Sequence, residues 1–141
     1  MKYYLGIDLG TTGTKTILYD ENGNALCRGY ESYELISPKE NYFEQNAEDW
    51  YRAVVNTVRH ATADFKGEIA AMSFSAQGGS FLFCDVINGE PKPLTSAVTW
   101  MDRRAKEEAE ELNEAYFIKK GKPVDSSNML AKYLWVKKFY A

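Results

Sequence analysis

A short polar segment between two apolar stretches constrains the fold of this chain most. Residues 3–8 are apolar almost throughout, as in a strand buried on both faces, and residues 14–19 resemble a second strand. Gly10 and Gly13 lie between them, and glycine allows backbone angles and close approaches that other residues do not. The sequence therefore predicts two strands joined by a tight turn over residues 9–13.

The residue types of this turn favour a bound anion. Backbone N–H groups beside the glycines can converge on phosphate oxygens, and the hydroxyls of Thr11, Thr12 and Thr14 add neutral donors. Lys15 reaches a phosphate or merely faces solvent, and Asp8 ends the first strand, where a carboxylate can hold Mg²⁺ directly or through water. The segment is not a Walker A motif, because a strand follows it and no Gly-Lys-Ser/Thr ends it. An ordinary polar hairpin is the alternative, but the combination of residues favours a phosphate site.

The rest of the chain predicts a mixed α/β domain. An Asn-Gly step at residues 22–23 indicates a second hairpin, Asn88-Gly89 is predicted to turn the chain, and Asn46 is a good N-cap for the first helix. The predicted strands are 3–8, 14–19, 25–35, 68–75, 80–86 and 94–99, and the predicted helices are 47–63, 103–115 and 128–140. The apolar stripes expected on the first and last helices are Trp50, Val54, Thr57/Val58 and Ala61, and Met129, Tyr133, Val136 and Tyr140. Three antiparallel strands, a helix and a further strand is the order of a ribonuclease H-like domain.

Composition excludes several classes of function. The net charge of −3 gives no basic surface for nucleic acid. No apolar run approaches the roughly 18 residues of a membrane span, and no signal peptide precedes the first strand, so we expect a cytoplasmic protein without a membrane partner. Cys27 and Cys84 lie far apart, and His60 is the only histidine. A disulfide framework, a zinc site and a Ser-His-Asp enzyme are therefore not expected.

Four segments, in order, carry a resemblance to a known family. Asp-Leu-Gly-Thr-Thr at 8–12 resembles the first phosphate motif of the actin, heat-shock-70 and sugar kinase superfamily. Tyr-Phe-Glu-Gln-Asn-Ala-Glu-Asp-Trp at 42–50 is similar to the Trp-x-Glu-Gln/His-x-Pro-x-x-Trp segment of the FGGY carbohydrate kinases. Residues 69–85 resemble their fourth strand and substrate loop, and Thr-Trp-Met-Asp-Arg-Arg at 99–104 resembles their Trp-x-Asp-x-Arg segment.

The resemblance implies a fold, a reaction and a set of site residues. The fold is α/β and ribonuclease H-like, and residues 1–141 are the N-terminal part of the first kinase domain, with the second domain absent. The reaction is transfer of the γ-phosphate of ATP, with Mg²⁺, to a hydroxyl of a small sugar or polyol. The implied ATP-binding residues are Asp8 (also the metal ligand), Gly10, Thr11, Thr12, Gly13, Thr14 and Lys15, and the implied substrate-binding residues are Gln77, Gly78, Gly79, Trp100, Asp102 and Arg103.

The sequence departs from the family in two ways. Xylulose kinases have Gln-Met-His-Gly and glycerol kinases Gln-Arg-Glu where this chain has Gln77-Gly78-Gly79-Ser80. We therefore expect a substrate other than xylulose or glycerol, either bulkier or bound by other loops. The catalytic Asp of the family lies in a Gly-x-x-Asp segment that these 141 residues lack. The expected catalytic set is thus empty, and the chain alone is predicted to be inactive.

Several assignments stay open on sequence alone. The alternative for Gln77 is a residue that satisfies loop backbone groups, and the alternative for Trp100 is a core aromatic. For Asp102 and Arg103 the alternatives are a helix cap and a surface charge. Glu44 is interpreted as a structural carboxylate. At the level of function, an actin- or heat-shock-type ATPase and a non-catalytic binding domain are the alternatives. The aromatic-rich end around Tyr133 and Phe139 would favour a homodimer if exposed.

Overall fold

The computed structural model describes residues 1–117 and 123–140, which form two units. The first unit is Met1–Leu35 with Asn46–Gln77, and the second is Ile36–Gln45 with Gly78–Ala141. In chain order the elements are β1 (Tyr3–Leu9), β2 (Gly13–Tyr19), β3 (Ala25–Ser32), β4 (Glu44–Gln45), α1 (Ala47–Ala61), β5 (Ile69–Ala76), β6 (Cys84–Ile87), β7 (Glu90–Pro93), β8 (Ala97–Val98), α2 (Lys106–Leu112), a π-helical turn (Asn113–Phe117) and α3 (Met129–Tyr140). No helix in the described ranges has the length and apolar character needed to cross a membrane.

The first unit is a four-stranded sheet in the order β3-β2-β1-β5. The strands β1, β2 and β3 pair antiparallel in succession, which confirms the predicted three-stranded meander. The third strand ends at Ser32 and not at residue 35 as predicted. Strand β5 pairs parallel with β1, so the two strands end at the same edge of the sheet.

Helix α1 begins as predicted, because the Asn46 side chain accepts a hydrogen bond of 3.0 Å from the Glu48 N–H. Its fully buried residues are small: Ala53, Thr57 and Ala61. Of the predicted stripe, Thr57 and Ala61 are therefore confirmed, whereas Trp50, Val54 and Val58 are only half-buried. Small side chains let the helix approach the sheet closely, and the hydroxyls of Thr57 and Thr16 lie 2.8 Å apart in the buried contact.

The second unit has little regular sheet. Strands β4 and β8 form a two-residue antiparallel pair, and β6 and β7 form a hairpin whose turn is Asn88-Gly89. Both turn residues have a positive φ (55° and 82°), as the Asn-Gly step predicted. The predicted strands 80–86 and 94–99 are displaced: the hairpin occupies Cys84–Ile87 and Glu90–Pro93, and only Ala97–Val98 remains of the last strand.

The helices of the second unit also correct the sequence analysis. Helix α2 starts at Lys106, three residues later than predicted, and α3 starts at Met129. Helix α3 buries Ala131, Lys132 and Val136, while Met129, Tyr133 and Tyr140 are exposed, so the predicted stripe is wrong except at Val136. The reason is that the buried face of α3 packs on small residues of α2. Lys132 lies on the same face and donates hydrogen bonds to backbone carbonyl oxygens. Ala105, Ala109, Leu112 and Ala131 form that helix-on-helix core.

Gly29 marks a close approach of α1 to the sheet. A Cβ added there would lie 2.5 Å from the Thr57 carbonyl oxygen and 3.0 Å from its Cα, so the helix would have to move. We expect Gly29→Ala to lower the free energy of unfolding by about 1–3 kcal/mol, the usual cost of overpacking. Urea unfolding of the variant measures this change. Gly78→Ala is the control, because a Cβ at Gly78 meets no atom within 4 Å; equal midpoints for the two variants would contradict the prediction.

Candidate functional site

The predicted phosphate turn connects β1 to β2. The Gly10 N–H donates to the Gly13 carbonyl at 3.1 Å, which closes the turn. A Cβ on Gly13 would lie 2.5 Å from the Glu31 carbonyl oxygen and 2.8 Å from the Tyr30 ring. Neither Gly10 nor Gly13 has a positive φ. Gly13 is therefore required by close approach, and a Cβ at Gly10 would lie a tight 3.2 Å from the Gly13 carbonyl oxygen. The unusual backbone angles that the sequence analysis allowed are not present at either glycine.

The side chains of the turn divide between the two faces of the sheet. Asp8 and Lys15 are cross-strand neighbours, both exposed, and both line a depression of about 320 Å³ that Ser73 and Ser75 also line. Thr14 is fully buried on the opposite face. Its hydroxyl therefore lies away from solvent, which corrects the expectation that all three threonine hydroxyls are available to a ligand.

Gln77 lies beside the turn. It follows β5, and its N–H donates to the Leu9 carbonyl at 3.0 Å. The first residue of the predicted substrate loop and the phosphate turn therefore share one edge of the sheet in the first unit. The other predicted substrate residues, Gly78, Gly79, Trp100, Asp102 and Arg103, belong to the second unit.

Gly79 and Trp100 are neighbours in the second unit. Gly79 has a φ of +75°, which side chains rarely tolerate, and a Cβ there would lie 3.4 Å from the Trp100 Cβ. The Trp100 N–H donates to the Ser80 hydroxyl at 2.9 Å, and the Trp100 residue is 45% exposed. The alternative interpretation of Trp100 as a core aromatic is therefore wrong.

Lys132 is a residue that the sequence analysis missed. It is fully buried on α3, and its ammonium donates to the carbonyl oxygens of Gly79 at 3.0 Å and Thr99 at 2.8 Å. Burial lowers the pKa of Lys132 from its ordinary value, because a charged ammonium loses its hydration there; the charge of Asp102 opposes this shift, and the charges of Arg103 and Arg104 add to it. A signal existed in the sequence: Lys132 lies three residues after Met129 and four before Val136, on the stripe predicted to be apolar.

Arg104 is the second residue that was missed. Counted from Trp100, the arginine of the Trp-x-Asp-x-Arg segment is Arg104, whereas the prediction assigned the substrate role to Arg103. Its side chain is 2% exposed, and Nη2 donates to Asp102 at 2.8 Å and to Glu44 at 2.6 Å. The guanidinium also lies 4.1 Å from the Tyr42 ring centroid and 4.8 Å from that of Trp135.

The charges around Arg104 are matched. Burial disfavours its charge, but hydrogen bonds with Asp102 and Glu44 raise the pKa of Arg104 above its ordinary value. Glu44 thus has the structural role predicted for it. Asp102 is fully buried and also accepts the Phe43 N–H at 2.7 Å. It does not cap α2, whose N-cap residue is Ala105, so that alternative is wrong.

Arg103 has a different environment from Arg104. Its side chain is 43% exposed and lies 3.7 Å from the Asp125 carboxylate, and its backbone N–H donates to the Asn41 carbonyl at 2.9 Å. The side chain is thus only partly exposed, since its Nη1 atom is buried, and the assignment of Arg103 to the substrate surface stays a prediction.

Asp8 fits the requirements of a magnesium ligand shared with phosphate. Within the described ranges, no three His, Cys, Asp or Glu side chains cluster as a metal site. Magnesium usually keeps several waters and takes one or two carboxylates together with substrate phosphates. An exposed carboxylate at the end of β1, beside a phosphate turn, suits that mode of binding.

Breaking the Arg104 network should strongly destabilise the protein. We expect Asp102→Ala and Arg104→Met each to lower the free energy of unfolding by about 3–5 kcal/mol. Arg104→Met leaves the buried Asp102 carboxylate without a counter-ion, and Asp102→Ala leaves the buried guanidinium with Glu44 as its remaining carboxylate. Arg104→Lys should recover little of the free energy of unfolding that Arg104→Met loses, since an ammonium cannot bind two carboxylates and stack between two rings in the same way.

Urea unfolding again provides the measurement. Arg52→Met is the matched control, because Arg52 is 54% exposed and pairs with Glu31 at 3.3 Å on the surface. That variant should cost less than about 1 kcal/mol. Losses of similar size for Arg52→Met and Arg104→Met would contradict the assignment of a buried network.

Comparison with known proteins identifies the family. The sequence matches the N-terminal domain of the FGGY family of carbohydrate kinases over residues 3–140. It is 36% identical over 140 residues to a gluconokinase of Bacillus subtilis, covering 95% of this chain and 27% of the relative. It is also 36% identical over 117 residues to a xylulose kinase of Lactococcus lactis, covering 81% of this chain and 23% of the relative.

A solved structure agrees with these matches. The crystal structure of a gluconate kinase from Lactobacillus acidophilus is similar with a TM-score of 0.82 at 32% identity, over 96% of this chain and 28% of that one. This chain thus spans about a quarter of the length of its relatives. The predicted ribonuclease H-like class, shared with actin and heat-shock-70, is confirmed. The chain belongs to the FGGY family of carbohydrate kinases and corresponds to its N-terminal domain.

Proposed function

We propose that this chain carries the phosphate turn and part of the sugar surface of an ATP-dependent sugar or polyol kinase. The observation that supports this most is the position of the turn. It follows β1 at the edge where the parallel strand β5 also ends, and the Gln77 N–H bonds the Leu9 carbonyl there. Ligands of α/β sheets bind beyond the carboxyl ends of parallel strands.

The ATP side of the site would use mainly backbone groups. Thr11, Thr12, Gly13 and Thr14 would present N–H groups to the phosphates, with side-chain donors from Thr11 and Thr12. Gly10, whose N–H donates to the Gly13 carbonyl, would shape the turn around them. Lys15 would add a positive charge, and Asp8 would hold Mg²⁺ through oxygen or water. Bound MgATP supplies the phosphoryl group and the metal charge that neutralises it.

The sugar side would use residues near the substrate loop. The residues that would border the substrate are Gln77, Gly78, Gly79, Trp100, Asp102 and Arg103. Trp100 and Arg103 would contact the substrate, and Asp102 would hold their segment in place through its ion pair with Arg104. A side chain at Gly78 would meet no protein atom within 4 Å, so this position leaves space for a substrate. Relatives named gluconokinase, xylulose kinase and glycerol kinase indicate a small sugar, sugar acid or polyol.

No residue of this chain is proposed as the proton acceptor. The chain spans 27% of the B. subtilis gluconokinase, and we place the acceptor in the part of the kinase beyond this segment. The 141 residues alone should therefore bind MgATP without sugar-dependent turnover. A cytoplasmic location and a homodimer remain predictions of the sequence.

Binding of MgATP to the chain tests the nucleotide half of the proposal. Saturating MgATP should raise the melting temperature, since a ligand at 100 times its Kd stabilises the folded state by about 2.7 kcal/mol. In Asp8→Asn the shift should fall to the value seen with ATP and EDTA. Asp64→Asn, an exposed aspartate after α1, should behave as the unmutated chain. An unmutated chain that does not respond to MgATP would contradict the proposal.

A chimera tests the catalytic half. Residues 1–140 would replace the matching segment of the B. subtilis gluconokinase, and ADP release would be followed with gluconate, xylulose and glycerol. We expect sugar-dependent release with gluconate above the other two, and a loss of at least about 100-fold in Asp8→Ala, in line with the loss of one transition-state charge contact. The Asp64→Ala chimera is the control. A folded chimera that is silent with every sugar would overturn the kinase assignment.

A further inference from the structure

Two tyrosines from one side of the sheet hold carbonyl groups of the phosphate turn. The Tyr33 hydroxyl donates to the Gly10 carbonyl oxygen. The Tyr30 hydroxyl donates to the Thr12 carbonyl oxygen at 3.4 Å, and the Tyr33 N–H reaches the same oxygen at 3.4 Å. Tyr30 lies in β3 and Tyr33 follows that strand, so both approach the turn from β3.

The geometry of the peptide bond gives these contacts a consequence for anion binding. In a planar trans peptide the C=O and the N–H point in opposite directions. The Gly10 C=O points toward Tyr33, so the Thr11 N–H of the same peptide points away from it. The Thr12 C=O points toward Tyr30, and the Gly13 N–H therefore points the other way.

The orientation has an electrostatic result. A carbonyl oxygen repels a phosphate, whereas an N–H attracts it, and a concave group of N–H donors is an anion site. By holding two carbonyl oxygens on the β3 side, the tyrosines keep the negative ends of two peptide dipoles away from the side that the N–H groups face. Without the tyrosine hydroxyls the peptide groups of the turn would be held by fewer hydrogen bonds, and more of their ordering would have to accompany binding.

Tyr33 is suited to this task because it remains a donor. Burial raises the pKa of the Tyr33 hydroxyl above its ordinary value; the neighbouring Thr14 side chain opposes this shift, and the negative charge of Asp8 adds to it. The phenol is therefore neutral and protonated across the physiological range. Tyr30, which is 57% exposed and makes a longer hydrogen bond, is the weaker of the two.

We propose that Tyr33, assisted by Tyr30, is a positioning residue that orients the peptide groups of the phosphate turn toward a bound polyphosphate. This inference rests on the proposed function, because it requires that the turn bind phosphate. It assigns a role to side chains that lie outside the turn and that would not themselves contact the ligand.

The test compares Tyr33→Phe with the unmutated 141-residue chain, using tripolyphosphate and ATP with Mg²⁺ as probes. Calorimetric titration well below both melting temperatures should show affinity reduced about 5- to 10-fold, the value of one hydrogen bond. Tyr30→Phe should lose less affinity for the two probes than Tyr33→Phe. Tyr51→Phe, whose residue on α1 is 71% exposed, should lose nothing.

A spectroscopic signature separates positioning from general destabilisation. The amide ¹⁵N resonance of Thr11 reports hydrogen bonding to the Gly10 carbonyl, so it should shift in ligand-free Tyr33→Phe and not in Tyr51→Phe. If the unmutated chain binds neither probe, the proposed function fails and this inference fails with it. If it binds and Tyr33→Phe binds equally well, or binds more weakly with the Thr11 resonance unmoved, the inference alone is overturned.

Discussion

The second unit depends on the pairing of a buried arginine. Arg104 is almost fully removed from solvent, and its charge is stable there only because Asp102 and Glu44 lie within 2.8 Å and two aromatic rings cover its faces. The network joins the loop before β4, the segment after β8 and α3. The pair β4–β8 has two residues per strand and would not persist by itself. Side-chain interactions therefore provide the order that a larger sheet would otherwise give, and Trp100 and Arg103 are attached to that support.

The first unit is organised by main-chain contacts instead. Gly13 lies against the Glu31 carbonyl, and Gly29 lies against the backbone of Thr57 on α1, each at a distance that excludes a side chain. The candidate phosphate site is built from the same kind of group, because peptide N–H donors form most of it. Such a site is insensitive to the identity of many side chains but sensitive to how each peptide is rotated. This is why we propose a positioning role for the hydroxyls of Tyr30 and Tyr33, which lie outside the turn and donate to its carbonyl oxygens.

The features that depend on residues close together in the sequence were predicted correctly. The meander, the Asn46 cap of α1, the Asn88-Gly89 turn and the glycine-threonine turn each follow from neighbours within a few residues, and all are confirmed. The errors involve long-range pairing. Arg104 meets Glu44 sixty positions away, and Lys132 meets carbonyls 33 and 53 positions away. Periodicity along one helix contains no information about these partners. The apolar stripe predicted on α3 therefore omits Lys132 and differs from the face that the structure buries.

The same distinction bears on substrate selection. On sequence alone, Gly78 and Gly79 replace two residues whose side chains are expected to contact the sugar hydroxyls in the related kinases. The structure separates the two positions: Gly79 has a φ of +75° that requires glycine, whereas Gly78 has open space around it. The Gly79 carbonyl is also held by Lys132 at 3.0 Å. The loop is thus fixed through its backbone and needs no side chains of its own to keep its shape. The open space at Gly78 therefore lies next to a glycine that contacts the exposed Trp100, on a loop whose backbone Lys132 holds.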